Sequence, residues 1–510
     1  MNKPYGGADC NCQIAESNYS GDMSADHLLL RTINRNQMVF RTVDVERLIE
    51  EDHPARLLWE AVGRLDLNPF YETIGSNSSV GGRPTYSPHL LISVWAYAYS
   101  RGIGSAREVA RRCEYEPAFQ WLTGMEGINY HSLSDFRVEK KEELDQLFSH
   151  LLGVLSAAGL VTLEQVMVDG TKIKAHASGK TFRREKTLQE HLKKAQEQVE
   201  ALSDPHAEGL NSRQQKAQER ARREKQQRME MALKEMKKLQ EQKRGAEEKE
   251  EVRVSMTDPE ARRMKQADGG CAPNYNAQIC TDGAHGIIVD VEVTQAGNDF
   301  QQLLPALDRV EERLQTPQQM VGDGGYTSRE NVEKMGERKV DFVGSLADNA
   351  SKANSGQGRF PIHMFVYDAE RNCFVCPSGK QLKYEGKQEK DGQTFYKYKA
   401  QKQDCQNCPL KMQCCPKNEK HGRSVVRSEE TAAMVAFRAK MATEEAKAQY
   451  RRRAQIAEFP NAWIKAKLGL RQFHVRGLVK VKAELLWVGL TFNLQKWIRF
   501  LQQQALPVRG

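Results

Sequence analysis

The chain has 510 residues, too many for one hydrophobic core, and ordinary domain sizes predict about three units. No run approaches about 18 consecutive apolar residues, and the N-terminus lacks the charged-then-apolar order of a secretory signal, so a helical membrane protein is excluded and a soluble cytoplasmic one expected. The formal charge of +9 is concentrated near the C-terminus, where it favours phosphate-rich partners, with plain solubility as the bland alternative.

Residues 1–40 are polar and rich in Gly, Ser, Asn and Asp, the composition of a mobile arm. From 41 to 155 the pattern is helical. Asp44 is placed to cap a helix over 45–65 that Pro54 divides. Shorter helices follow over 88–101, 105–113 and 117–122 and from Ser132 onward, with Ser105 and Ser132 or Ser134 as N-caps. Short helices with tight turns and the bases Arg101, Arg107, Arg111, Arg112 and Arg137 fit a helix-turn-helix DNA binder and an ordinary helical bundle equally well.

The composition changes at 160. Val166, Met167 and Val168 predict a buried strand ending at Asp169-Gly170, followed by an extended piece over 171–176. A carboxylate at the end of a buried strand is costly unless a base or metal compensates it, although a turn aspartate before glycine is common. Leu188, Leu192, Ala195, Val199 and Leu202 then step by four and three, and Met229, Leu233, Met236 and Leu239 follow a Pro/Gly break, which predicts an inserted helical hairpin over 183–248. Two strands around the turn 282–285 come next, then a helix from Asp299 and a strand ending at Asp323. A helix over 328–335 with Gly336 as its stop and a strand over 340–344 complete an α/β layer with a mixed sheet and crossover helices.

Eleven cysteines is an odd number, and six of them fall within 350–430: Cys373, Cys376, Cys405, Cys408, Cys414 and Cys415. The CxxC pairs suit structural zinc, with Cys376, Cys405, Cys408 and Cys414 as one set and Cys373 as a rival ligand; an iron–sulfur cluster or reduced free thiols are the alternatives. Over 431–505 the pattern is helical again. Between Arg451 and Lys482 stand nine Lys and Arg and a single acid, Glu458, two helical turns before Lys465, with Pro460 between them as a kink signal. Asp169, Asp323 and Glu458 would together suffice for two-metal phosphodiester chemistry.

The blocks VDGTKIKAHAS, VTQAGNDFQQL, GDGGYTSREN and YRRRAQIAEFPNAWIKAKLGLRQFHVRG, in this order, resemble those of bacterial insertion-sequence DDE transposases of the Tyr-Arg-Glu-Lys type. The resemblance covers roughly 44–501 and implies an RNase H-like core over 160–349 and 431–505, preceded by a helical DNA-binding module. It implies Asp169, Asp323 and Glu458 as catalytic ligands of two Mg2+ or Mn2+ ions, and Tyr450, Arg453 and Lys465, with Arg471 and Arg476, as contacts to DNA. Four residues separate Arg453 from Glu458 where the signature has three, which leaves Arg451 and Arg452 as alternatives for the arginine. The implied partners are terminal inverted repeats and target DNA, bound by a homodimer without membrane association, and the implied location is the bacterial nucleoid. The implied reaction is end cleavage followed by strand transfer; a catalytically inactive DNA-binding regulator and a nuclease without strand transfer are the alternatives.

Overall fold

The computed structural model describes residues 36, 38, 40, 42–74, 85–200, 212–243, 245–266, 269–345, 360, 362–390, 393–415, 422–428 and 431–505. The chain divides into Met1–Asp44 and Val45–Gly510. Nearly all of the first unit, including the expected arm with Cys10 and Cys12, lies outside the described residues.

The second unit begins with seven helices: α1 (Pro54–Gly63), α2 (Asn68–Glu72), α3 (Pro88–Ser100), α4 (Ala106–Tyr115), α5 (Pro117–Thr123), α6 (Tyr130–Glu139) and α7 (Lys141–Ala157). Pro54 does not divide a long helix; it starts α1 at the position where its missing N–H costs nothing, and a short 3-10 turn over Val45–Leu48 precedes it. Ser105 caps α4 as expected, accepting from the Glu108 N–H. Neither Ser132 nor Ser134 caps α6; Asn129 does, accepting from the His131 N–H, so the helix starts three residues earlier than a cap at Ser132 predicts. Trp95 and Tyr99 of α3 and Phe148 of α7 are fully buried. They share one core with the apolar side of the main sheet and with the last helix of the chain.

That sheet contains β1 (Gln165–Lys174), β4 (Arg262–Lys265), β5 (Cys271–Asp282), β6 (Ile288–Thr294), β7 (Gln319–Gly322) and β8 (Asp341–Gly344), in the order β4-β5-β1-β7-β8 with β6 also paired to β5. β1 runs antiparallel to β5 and parallel to β7, and β7 runs parallel to β8. The expected break at Asp169-Gly170 is absent: β1 continues through both residues to Lys174, paired with β5 over its length. A strand held by a continuous antiparallel ladder on one side has no need to turn at an Asp-Gly pair. The connections are α11 (Leu303–Arg313), which starts four residues later than Asp299, and α12 (Arg329–Glu337). Gly336 lies inside α12, and the chain reverses at Lys339, whose φ is 58°.

Between β1 and β4 the chain leaves the sheet through a two-stranded ladder, β2 (Phe182–Arg183) with β3 (Val254–Ser255), and between those strands lie α8 (Glu185–Glu200), α9 (Ser212–Glu241) and the short α10 (Ala246–Glu250). Leu188, Met229, Ala232 and Met236 form its own small core, which is why the four-three spacing was readable. After β8 a second antiparallel sheet appears, ordered β13-β12-β11-β10-β9, from β9 (Val366–Asp368), β10 (Cys373–Val375), β11 (Gln381–Lys390), β12 (Gln393–Ala400) and β13 (Ser424–Ser428). Two one-turn helices, α13 (Lys402–Gln406) and α14 (Lys411–Cys414), carry its later cysteines.

Three helices close the chain: α15 (Ala432–Ala442), α16 (Glu444–Ala466) and α17 (Leu478–Ala505). Thr443 caps α16 by accepting from the Ala446 N–H, and Glu444 and Glu445 complement the positive end of the helix dipole. The helix continues through Pro460 to Ala466, so the proline removes one backbone bond without ending it. Beyond it, Gly469 (φ 74°) meets Gly102 of the α3–α4 turn; a Cβ on Gly469 would lie 2.7 Å from the Gly102 carbonyl oxygen. Among the described residues, no helix is long and apolar enough to cross a membrane.

Candidate active site

The register of the two central parallel strands brings the first two acids together. Gln165 pairs with Gln319, Val166 with Met320 and Met167 with Val321; Asp169 stands two residues beyond the last of these pairs on β1, and Asp323 two residues beyond it, just past the end of β7. Side chains alternate along a strand, so Met167 and Asp169 share one face of β1. Met167 and Val321 pack there against Ala457 of α16, which places both aspartates beneath that helix.

α16 supplies the rest. Arg453 Nη1 lies 3.3 Å from Asp169 Oδ1, and its Nη2 lies 3.6 Å from Glu458 Oε1, so one guanidinium links two of the three predicted acids. Asn461 Nδ2 donates to Asp169 Oδ2 at 2.7 Å. Burial pushes the Asp169 carboxyl up to about 6; Arg453 and the Asn461 hydrogen bond oppose this, and the negative charges of Asp323 and Glu458 add to it. Those last two effects place Asp323 and Glu458 each within electrostatic reach of Asp169. Glu458 itself is 59% exposed and extends to Arg453. The basic neighbours stand where the helix phase puts them. Tyr450 lies under the Arg453 guanidinium, 5.9 Å from ring centroid to Cζ. Lys465 donates to the Thr171 hydroxyl on β1, and its burial lowers its pKa despite the opposing charge of Asp169.

Arg471 and Arg476 lie on the loop after α16, which is zipped to the end of β1: Lys174 N–H donates to the Arg471 carbonyl at 3.2 Å and Phe473 N–H to the Lys174 carbonyl at 2.9 Å. Arg476 Nε donates to the carbonyl of His176, which lies past the end of β1 and is exposed. Both arginines are themselves exposed.

Two residues that sequence reasoning did not single out complete the arrangement. Asn461 is only 8% exposed and its Oδ1 has no hydrogen-bond partner. Asp299, from the block VTQAGNDFQQL, accepts at Oδ1 from Asn276 Nδ2 (2.7 Å) and Gln278 Nε2 (2.6 Å) of β5. A Cβ on Gly170 would lie 2.4 Å from that same Oδ1, so the glycine after Asp169 leaves the space Asp299 fills. Tyr326 is fully buried and donates to Gln278 Oε1, which makes it a support under the site. Burial and the charges of Asp299 and Asp169 hold its hydroxyl well above the ordinary range. The polar pattern Asn274, Asn276, Gln278 on alternate positions of a buried strand was the available signal for this network.

Five cysteines surround one small cavity in the second sheet region: Cys376, Cys405, Cys408, Cys414 and Cys415. Cys376 Sγ accepts from the Lys380 N–H and Cys405 Sγ from the Arg423 N–H, both at 3.3 Å, and Ser378 Oγ lies 3.1 Å from Cys408 Sγ. Cys373 is buried in β10 and is not among the residues that line the cavity. Among the described residues, no three carboxylates, imidazoles or thiols stand close enough together to hold a metal, either here or at the acids. The chemistry of both donor sets nevertheless fits: hard oxygens with an unpartnered, buried Asn461 carbonyl at one, and thiols receiving backbone N–H groups at the other.

A family model described as "Transposase DDE domain" matches residues 375–498, and one described as "Transposase domain (DUF772)" matches 43–139. Each match covers less than a quarter of the chain, and together they make it similar to insertion-sequence DDE transposases towards both ends. The first match takes in Glu458 and the whole of α16, and it begins inside the cysteine-bearing region, at the end of β10. The second covers most of the N-terminal helices, through α6. No curated protein matches the chain. As members of this family generally use divalent metal ions and act on DNA, DNA is the partner the family implies.

Proposed function

We propose that the chain is a transposase of the Tyr-Arg-Glu-Lys signature type with an RNase H-like core, which binds the ends of an insertion sequence, cleaves the DNA there and joins the freed 3′ hydroxyl to target DNA. The observation that carries this reading is the pairing of β1 with β7 beneath the helix that bears Glu458, with Asp169 and Asp323 each two residues past its last pair. The strand order β6-β5-β1-β7-β8, with β1 antiparallel to β5 and parallel to β7 and with β7 parallel to β8, supports the fold assignment.

Asp169, Asp323 and Glu458 would hold two Mg2+ or Mn2+ ions, which when bound activate the attacking oxygen and stabilise the leaving one. Asn461 orients Asp169 through its amide. Arg453 neutralises Asp169 and Glu458 and so permits acids to gather in a half-buried site; with the acids occupied, its guanidinium is released to a DNA phosphate. Tyr450, Lys465, Arg471 and Arg476 contact the backbone of the end. A groove of about 660 Å3 beside Tyr450, lined also by Lys447 and Arg451, supports that path. The N-terminal helices bind the terminal inverted repeats, a homodimer holds the two ends, and the reaction takes place on DNA in the bacterial nucleoid.

The test is a supercoiled plasmid carrying the element's own ends, incubated with the purified chain in Mg2+ and in EDTA and scored for excision and joining. End-specific products that require Mg2+ are expected. Cleavage without joining would mean a nuclease, and binding of the ends without cleavage would mean a regulator.

The cavity of five thiols is read as a structural zinc site formed by Cys376, Cys405, Cys408 and Cys414, with Cys415 in place of Cys373 as the alternative ligand. The core beneath this sheet is small, and a structural metal is the usual support for such a core. The expected result is about one zinc per chain by elemental analysis, with a colourless protein whose thermal stability falls on chelation. A brown protein, or metal-free protein of unchanged stability, would exclude it.

A further inference from the structure

The inserted hairpin joins the sheet at a groove of about 380 Å3 lined by Arg184, Lys243, Arg253, Arg262 and Arg263, with Glu251 as its one acid. Two of the five bases are already compensated. Arg262 pairs with Glu235, which is buried and also held by Lys238, and Lys243 Nζ lies 3.9 Å from Glu248. Among the described residues, the side chains of Arg184, Arg253 and Arg263 make no hydrogen bond or ion pair, and all three are exposed. Like charges closer than a Debye length of about 8–10 Å repel unless an anion joins them.

We infer that this groove is a second DNA-backbone site, which takes phosphates of the duplex that flanks the cleaved bond. The inference rests on the reading of the chain as acting on DNA. Its position favours that partner. Arg263 belongs to β4, which pairs with β5, and β5 pairs in turn with the strand that carries Asp169. Lys172 of β1 donates through Nζ to the Lys265 carbonyl on β4, which ties β4 to the strand that carries Asp169. Positive residues on an edge strand also discourage strand addition. Arg184, Lys243 and Arg253 lie off that strand, and edge protection does not account for them.

The test uses the full chain with Arg184→Gln, Arg253→Gln and Arg263→Gln combined, leaving the Arg262–Glu235 pair intact. A control removes three exposed bases from the length of α9: Lys216→Gln, Arg220→Gln and Lys234→Gln. Duplex binding is followed by fluorescence anisotropy over a range of salt. The groove variant is expected to bind at least tenfold more weakly, with the slope of log K against log salt reduced by about 2–3, since each lost phosphate contact removes roughly 0.9. The control is expected to keep the wild-type slope. An unchanged slope in the groove variant, or an equal loss in the control, overturns the inference while the DNA reading stands. Tighter wild-type binding of single-stranded RNA than of duplex overturns the choice of partner, and failure of the wild type to bind duplex at all sinks both.

Discussion

Glu458→Gln reduces strand cleavage by more than about 100-fold, beyond the usual cost of disturbing a group behind a metal ligand, and leaves duplex binding within about twofold. The carboxylate is 59% exposed and its ion pair is a 3.6 Å contact with Arg453, so the substitution removes almost nothing from the folded structure. It removes one negative charge beside Asp169, which leaves the positive surface along α16 untouched or slightly stronger. A gel-shift titration alongside a plasmid nicking assay separates the two quantities. If nicking persists at the wild-type rate, the third acid lies elsewhere, and Asp299, buttressed by Asn276 and Gln278, becomes the next carboxylate to replace.

Glu484→Ala lowers stability by about 3–5 kcal/mol, the cost of leaving a buried partner charge uncompensated. Glu484, on α17, is fully buried. It accepts from the His474 backbone N–H at 2.9 Å, contacts the His474 ring at 2.8 Å and lies 3.8 Å from Arg137 of α6. Arg137 is itself 4% exposed and sits over Trp95, 4.6 Å from the ring centroid, with Tyr99 beside it. Chemical denaturation measures the loss as a lower midpoint. The double variant Arg137→Met/Glu484→Leu is expected to recover most of it, because the penalty belongs to the orphaned partner and not to the missing pair. A double variant as unstable as the single one would assign the cost to packing instead.

What the sequence revealed and what it concealed follow from how local each signal is. The strand around Val166–Val168, the hairpin with its four-three apolar spacing and the cap of α4 are set by residues within a turn or two, and each was readable. The approach of Asp169 and Asp323 follows from a β1–β7 register that joins residues 154 apart in sequence, which no local pattern encodes. Asp169-Gly170 read as a turn because Asp-Gly usually is one; here the glycine serves the Asp299 carboxylate and the strand continues. Asn461 and Asp299 went unnoticed because a lone amide in a helix and an acid in a polar loop are ordinary until a partner 292 or 23 residues away is known. Pro460 suggested a kink near Glu458, yet the helix persists, held by Ala457 and Ile464 buried on one face.

The helix α17 lies at the centre of the core shared by the N-terminal helices and the sheet: Trp487 Nε1 donates to the Arg137 carbonyl, and Asn493 bonds both backbone groups of Ile288. It follows every other element of that core in sequence. During translation the earlier helices therefore wait with their apolar faces uncovered until this helix leaves the ribosome, and they gain their shared core only then. A message truncated anywhere upstream of Leu478 yields fragments without this helix, in which those apolar faces stay uncovered.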